Sequence, residues 1–518
     1  MKWTPKQQEV INARGCNLLV SAAAGSGKTA VLVERIIHLI CDEENPIDID
    51  RLLVMTFTSA AAGEMRERIL KAIEEKLAKD PAQEHLQVQA ALVHRAQITT
   101  IDSFCLSLIR DHFNLLDIDP AFRIGDEGEL MLLRGDVMED MLEEYYEKDD
   151  PVFSQFVENY ASGKSDSGIE DYIMQVYTFS QSNPFPREWL DQCRQELLEM
   201  NEEELDGTPW MRFLLEDVRR QAEEWAEQLT DAMEVCGQEG GPHMYLPTLQ
   251  AELELVRKIG AAKDYGALYE ALQNAEFGRM AAARGKTIDP EKKEYAAAAR
   301  DRVKKAVKAM VQQYGQSPAD AVDELAGSRD VVLKLLELAG EFHRRYQEAK
   351  RDKNIVDFND LEHEALRVLV KREDKKLSYT PVADELSKRY AQILVDEYQD
   401  SNDVQETLIK SLSAERFGRP NVFMVGDVKQ SIYKFRLARP ELFMKKYECY
   451  EDYGAGKDNG PEGGMEGAEA VGEEKSGMSG AAAVGEEDAA AAKGRKAETG
   501  MDDAGAPGEE KAEVSGEG

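Results

Sequence analysis

The stretch SAAAGSGKTAVLVERI, residues 21–36, constrains the possible fold of this chain more than any other. It follows the apolar run NLLVS, which is typical of a buried strand, and leads into the helical periodicity of AVLVERIIHLI. A turn between a strand and a helix can direct consecutive backbone N–H groups at a phosphate. The pattern G-x-x-x-x-G-K-[ST] is not met, however, because Ala22 holds the first glycine position. The stretch is therefore either a phosphate loop or a small-residue turn before a helix.

The polar groups of a phosphate loop are nevertheless all present. Lys28 is placed to neutralise phosphate charge, and the Thr29 hydroxyl is placed to bind Mg²⁺. Gly25 and Gly27 allow close backbone approach, and Ala22 is tolerated if its φ is negative. We therefore predict an ATP·Mg²⁺ site formed by Ala22, Ala23, Ala24, Gly25, Ser26, Gly27, Lys28 and Thr29.

Short apolar runs rich in β-branched residues predict a buried parallel sheet. The five runs are 17–21, 51–58, 96–102, 392–397 and 421–427. Helical patterns or turns follow them, which favours an α/β sheet flanked by helices. The two groups of runs are separated by nearly 290 residues without comparable strand signals. That segment is rich in Glu, Leu, Ala, Lys and Arg, so we expect a large all-helical insertion.

Acidic residues end one of the later strands. In QILVDEYQD, Asp396 and Glu397 follow the apolar run, at the strand end where ligands of α/β proteins bind. An acidic strand end by itself is more often a solvated turn, but the phosphate loop changes this interpretation. We predict that Asp396 binds Mg²⁺ and that Glu397 orients and deprotonates the attacking water.

The segment VGDVKQSIYKFR, 425–436, predicts a second function at the next strand end. Gln430 lies where it could sense a γ-phosphate, which makes it a catalytic candidate with Lys28 and Glu397. Aromatic residues alternate with basic ones just beyond it, a pattern suited to single-stranded nucleic acid. The predicted DNA-binding residues here are Tyr433, Phe435 and Arg436, although a packed aromatic helix end would explain the same pattern.

Length, charge and cysteine content limit the remaining classes. A chain of 518 residues is expected to form two or three folded units, and its net charge of −36 argues against a basic surface covering the whole protein. The six cysteines include no C-x-x-C pair, which argues against a disulfide framework or a zinc ribbon. With no apolar run long enough to span a bilayer and no signal core, we expect a cytoplasmic protein without membrane contact.

The composition changes at about residue 451. From there to residue 518 the chain is rich in Gly, Ala and Glu and carries 18 acidic against 6 basic residues. Such a segment buries too little apolar surface to offset the entropy of ordering. We predict an acidic C-terminal tail that is disordered from about residue 454.

Taken together, the order of these motifs resembles the N-terminal motor half of the UvrD/RecB-type superfamily 1 DNA helicases, and within them the AddA branch of helicase–nucleases. The matching stretches cover about 1–125 and 345–450. They are WTPKQQEVI, AAAGSGKT, VMTFTSAAAGEMRERI, ITTIDSFCLSLIR, IVDFNDLEHEAL, LVDEYQDSNDVQ and VGDVKQSIYKFRLARPELF.

This resemblance implies a RecA-like P-loop NTPase domain. Its first part would be 1–115, a helical insertion would occupy 116–345, the second part would be 346–450, and the tail 451–518. Gln7 would read adenine. Further residues would contact single-stranded DNA, namely Phe57, Thr58, Asp102, Ser103 and Phe104.

The resemblance also implies a role as the ATPase half of a 3′→5′ helicase–nuclease that acts on DNA ends in double-strand-break repair, with an AddB-like partner protein. Motifs of a second RecA-like domain and of a nuclease are not found in these 518 residues. We therefore expect nucleotide binding with slow hydrolysis by the chain alone. The alternatives are a non-catalytic nucleotide- and DNA-binding module that docks the AddB-like partner, and, less favoured because no N-K-x-D motif is present, a GTPase or small-molecule kinase.

Overall fold

Parallel strands form the centre of the chain in the computed structural model, which describes residues 3–23, 25–42, 44–161, 167–199, 205–283, 288–373, 376–431, 437–453 and 494–498. The strands are β1 (Asn17–Ser21), β2 (Leu52–Thr56), β3 (Gln97–Thr100), β4 (Arg123–Ile124), β5 (Ile355–Val356), β6 (Val370–Glu373), β7 (Lys376–Tyr379), β8 (Gln392–Val395), β9 (Val422–Gly426), β10 (Glu451–Asp452) and β11 (Gly494–Glu498).

Helices make up most of the remaining described chain. They are α1 (Pro5–Asn12), α2 (Lys28–Ile40), α3 (Ser59–Lys79), α4 (Glu84–Leu92), α5 (Ile101–Asp111), α6 (Glu127–Glu147), α7 (Pro151–Tyr160), α8 (Ser167–Ser180), α9 (Pro186–Glu199), α10 (Pro209–Gly237), α11 (Leu246–Gly260), α12 (Tyr265–Gln273), α13 (Pro290–Tyr314), α14 (Pro318–Asp352), α15 (Phe358–Leu369), α16 (Pro381–Arg389), α17 (Asp403–Leu412) and α18 (Pro440–Cys449). None of them combines the length and apolar content needed to span a bilayer.

The main sheet has the strand order β10-β11-β1-β9-β8-β2-β3, and every pairing in it is parallel. All five predicted strands are present, as β1, β2, β3, β8 and β9. In this register Leu18 lies opposite Phe423, and Leu53 lies between Ile393 and Gln97. Because the strands are parallel, the carboxyl ends of β1, β8 and β9 meet at one edge.

Both faces of this sheet are covered, which explains why its strands are continuous apolar runs. One face packs on α1, α2 and α3, with fully buried residues such as Leu32 and Ile69. The other packs on α5, α15 and α17, with fully buried residues such as Leu369 and Leu412. The sheet is therefore a rigid support for the groups that follow its strand ends.

Between β4 and β5 the described chain is helical and has two hydrophobic clusters. The first joins α6, α7 and α8 to the second half of α14, around Phe156 and Phe342. The second is formed by α10, α11, α12 and α13 around Leu229 and Leu268, with the start of α14 packed against it. The long helix α14 thus contacts both clusters.

Some elements were not predicted. The two-residue pair β4–β5 and the antiparallel hairpin β6–β7 fall inside the region without strand signals. The hairpin sequences VKRE and KLSY alternate polar and half-buried residues instead of forming an apolar run. Strands of this kind depend on their partners and give little signal of their own.

The prediction of a disordered tail is wrong for residues 494–498. They form β11, which pairs in parallel with β1 from Asn17 to Ser21, and the two residues of β10 pair with β11 in turn. An unpaired strand edge offers a row of backbone donors and acceptors, so even a segment of low strand propensity can pair there. Residues 454–493 and 499–518 lie outside the described residues.

Candidate nucleotide site and adjoining cleft

The loop after β1 has the backbone shape of a phosphate cradle. Gly25 and Gly27 have φ of 74° and 81°, a left-handed region that glycine adopts without a steric cost. Ala22 is buried and keeps a negative φ, as predicted, and its N–H donates to the Gly426 carbonyl at 3.0 Å. The alanine thus anchors the loop to β9. Ala24 lies outside the described residues, and Ala23 is exposed.

Lys28, the first residue of α2, brings distant parts of the chain together. Its Nζ donates to Glu397 Oε2 at 3.1 Å and to Gln430 Oε1 at 3.5 Å. The ammonium group is largely enclosed, since the side chain is 10% exposed. The three predicted catalytic residues, which come from three separate strand ends, therefore lie in one cluster.

The two carboxylates after β8 differ in environment. Asp396 donates its backbone N–H to the Met55 carbonyl at 3.0 Å, and its Oδ1 accepts the Glu397 N–H at 3.1 Å. Burial, with a smaller contribution from the Glu397 charge, raises the pKa of Asp396 to about 6. Glu397 has a φ of 50°, which is unusual for a residue with a side chain. This backbone strain directs its carboxylate towards Lys28.

The oxygen atoms available here suit Mg²⁺. The Thr29 hydroxyl lies in the first turn of α2, and the Asp396 carboxylate is at the carboxyl end of β8, two strands from β1. Hydroxyl and carboxylate oxygens are the ligands that Mg²⁺ prefers. These two residues would hold the ion, which would neutralise phosphate charge when bound.

Gln7 contacts the loop directly. It is buried at the N-terminal end of α1, in a capping box with Thr4, and its Nε2 donates to the Ser26 carbonyl at 3.2 Å. The nearby Ser26 hydroxyl is also buried and has no hydrogen-bond partner in the described structure. Both side chains are thus close enough to the loop backbone to respond to its occupant.

A cleft of about 460 Å³ lies beside this cluster. It is bounded by the ends of β2 and β3, by the segment after α8, and by the first turns of α15 and α17. None of the described residues lining it is basic, whereas three carboxyl groups and several amides and hydroxyls do line it. Such walls suit the hydrogen-bonding edges of bases better than phosphates.

The predicted DNA-binding residues have different placements. Phe57 and Asp102 line the cleft. Thr58 is exposed and caps α3, and Ser103 is exposed at the start of α5. The prediction for Phe104 does not fit, because its ring packs in the core against Tyr390, with centroids 6.5 Å apart. Tyr433, Phe435 and Arg436 lie outside the described residues.

Sequence reasoning missed several residues of the cleft. Phe358, at the start of α15, is 55% exposed and lines it together with Glu362. Glu362 could have been noticed because it falls in the apolar stripe of this helix, at helical spacing from Leu366 and Leu369. Burial raises the pKa of Glu362 to about 7, and the nearby Asp102 charge adds to the effect, while a hydrogen bond from Gln405 opposes it.

Gln399 was also missed, although it lies within DEYQD. It is 1% exposed and forms hydrogen bonds to residues after both β8 and β9. Nothing in the local sequence distinguishes it from a solvated turn residue, because its partners depend on how the two strands pair.

Comparison with known proteins identifies the class to which this site and fold belong. Residues 3–451 match the family model of the UvrD/REP helicase N-terminal domain, and the chain belongs to that helicase family. This agrees with the resemblance drawn from the motifs.

The more particular similarity is to proteins named as the AddA subunit of an ATP-dependent helicase/nuclease. The chain is 48% identical over 454 residues to the one from Lachnoclostridium phytofermentans, a match that covers 86% of this chain and 33% of that protein. Identity is 45% to the Clostridium perfringens protein and 42% to the Clostridium beijerinckii protein, with 87% of this chain and 36% of each relative covered. The chain thus spans about a third of the length of the curated relatives it matches.

Proposed function

We propose that this chain is the ATP- and single-stranded-DNA-binding motor domain of an AddA-like 3′→5′ DNA helicase. The observation that carries the proposal is the cluster in which the Lys28 ammonium contacts both Glu397 and Gln430. A phosphate-binding lysine, a carboxylate able to activate water and an amide able to sense phosphate are the groups that ATP hydrolysis requires.

In this proposal the residues of the loop have separate tasks. The backbone N–H groups around Gly25 and Gly27 and the Lys28 ammonium bind the phosphates, and Gln7 reads the adenine. Thr29 and Asp396 hold Mg²⁺, which lowers the charge repulsion against an incoming water when it is bound. Glu397 accepts the proton of that water.

Single-stranded DNA would lie across the neighbouring cleft. Exposed aromatic rings at Phe57 and Phe358 supply stacking surfaces, and the amides and carboxyl groups between them can accept or donate hydrogen bonds to base edges. Because the described lining has no cation, phosphates are expected to face away from it. Thr58 and Ser103, exposed at helix N-termini, and the predicted Tyr433, Phe435 and Arg436 would contact the strand outside the cleft.

We further propose that translocation along DNA, and action at double-strand breaks, need a second motor domain and an AddB-like partner protein. Charged groups from a second domain typically accelerate phosphoryl transfer by about 10³-fold or more. ATP turnover by this chain alone is therefore expected to be slow.

The test is ATP turnover with and without single-stranded DNA, in the wild type and in Lys28→Ala. An exposed lysine of α3, Lys71→Ala, is the matched control. DNA-stimulated turnover that is lost only in Lys28→Ala supports a motor domain. Nucleotide binding without turnover, combined with tight binding to an AddB-like protein, would favour a non-catalytic docking module instead.

A further inference from the structure

Gln399 lies between the nucleotide cluster and the cleft, in the turn Tyr398–Asp400 that follows β8. Its Nε2 donates to Glu397 Oε2 at 3.0 Å and to Asp400 Oδ2 at 3.1 Å. Its Oε1 accepts the backbone N–H of Asp427 at 3.0 Å. One buried amide therefore joins three groups with different surroundings.

The orientation of this amide is determined by its partners. The Asp427 N–H can only donate, so it must meet the amide oxygen, and the two N–H donors must then face the two carboxylates. The neighbouring Gly426 has no side chain, and a Cβ there would lie 2.3 Å from Gln399 Oε1. The close approach of β9 leaves the amide no second position.

Each of the three partners leads to a different site. Glu397 Oε2 also accepts from Lys28 Nζ at 3.1 Å, on the nucleotide side. Asp400 is buried in the wall of the cleft. The Asp427 carboxylate accepts from Gln430 Nε2, and Gln430 Oε1 is 3.5 Å from Lys28 Nζ, which closes a ring of contacts.

We propose that Gln399 is a positioning residue that couples nucleotide binding at Lys28 to single-stranded DNA binding in the cleft. This inference rests on the proposed function. A phosphate that draws the Lys28 ammonium away from Glu397 leaves Gln399 as the remaining donor to that carboxylate. The Gln399 amide then shifts towards Glu397, and the shift is passed to Asp400 in the cleft wall. By linkage, DNA bound in the cleft changes nucleotide affinity by the same factor.

The experiment measures the affinity of a fluorescein-labelled oligothymidine by anisotropy, with and without a saturating non-hydrolysable ATP analogue and Mg²⁺. The ratio of the two dissociation constants is the coupling factor, which does not depend on hydrolysis. We expect a factor of about 10 in the wild type, in either direction. In Gln399→Met, which keeps length but removes all three hydrogen bonds, the factor should fall below about 2.

Two further variants keep the test decisive. Gln399→Glu retains the acceptor for the Asp427 N–H but loses both donors, so it should also lose coupling even if Gln399→Met folds poorly. Gln392→Met removes a buried amide at the opposite end of β8 and should retain the wild-type factor. Circular dichroism and urea unfolding establish that each variant is folded.

The outcomes separate this inference from the proposed function. A wild type that binds both ligands with a factor of one, or a folded Gln399 variant that keeps the wild-type factor, overturns the coupling role and leaves the proposed function standing. Loss of DNA binding itself in folded variants also overturns it, since Gln399 would then merely support the cleft. A wild type that binds neither ligand overturns both proposals.

Discussion

Replacing Glu362 by Gln should stabilise the protein at alkaline pH. The side chain is buried in α15, where it accepts a hydrogen bond from Gln405 Nε2 at 2.7 Å, and Asp102 and His363 are the charged or titratable groups that face it. A glutamine keeps the acceptor for Gln405 and removes the buried charge. Burial raises the pKa of Glu362 from 4.5 to about 7, so ionising it costs on the order of 3 kcal/mol.

The sign of the pH dependence follows from this raised pKa. Below about pH 4.5 both the folded and the unfolded chain carry a protonated Glu362, so the wild type and the variant should differ little. Between pH 4.5 and about 7 only the unfolded chain ionises, and the wild type loses stability relative to Glu362→Gln. Above about pH 7 the difference should stay constant.

Urea unfolding at several pH values between 5 and 8.5 measures this difference, with the exposed Glu385→Gln in α16 as the control. We expect the free energy of unfolding of Glu362→Gln to exceed that of the wild type by about 1–3 kcal/mol at pH 8.5 and by much less at pH 5. A difference that does not change with pH, or that also occurs in Glu385→Gln, would refute the reasoning.

Two other substitutions test the packing that supports the site. Lys350 is buried with its Nζ 2.7–2.8 Å from Asp357 and Asp360, so Lys350→Met should lower the free energy of unfolding by about 3–5 kcal/mol, while the exposed Lys353→Met should change it little; equal effects in urea titrations would contradict this. In Gly426→Ala the new Cβ would lie 2.3 Å from Gln399 Oε1, so we expect a loss of about 1–3 kcal/mol and weaker nucleotide binding, whereas Gly63→Ala, with open space around it, should be neutral or stabilising; an unchanged thermal midpoint in Gly426→Ala would count against the close packing of β9 on the turn.

The sequence predicted the sheet better than the site. Strands buried on both faces must be continuous apolar runs, and for this reason β1, β2, β3, β8 and β9 could be located in advance. The hairpin β6–β7 could not, because half-exposed strands such as VKRE depend on pairing for their stability.

Within the site, residues with a local motif could be predicted and residues defined by tertiary contacts could not. Lys28, Glu397 and Gln430 belong to strand-end patterns, and the parallel sheet brings those ends together. The role of Gln399 depends on the pairing of β8 with β9, which no single segment reveals. Phe104 lies within a DNA-binding motif, yet its helical spacing from Leu108 indicates the core position that it occupies.

The central claim is that the loop after β1 binds ATP·Mg²⁺ through Lys28. Isothermal titration calorimetry of ATP with Mg²⁺ tests it most directly, using the wild type, Lys28→Ala and the control Lys71→Ala. We expect one site in the wild type and in Lys71→Ala. In Lys28→Ala we expect an affinity lower by about 10-fold or more, since charge-assisted hydrogen bonds contribute about 1.5–3 kcal/mol. Equal affinities in the wild type and Lys28→Ala, or no binding to the wild type, would contradict the account.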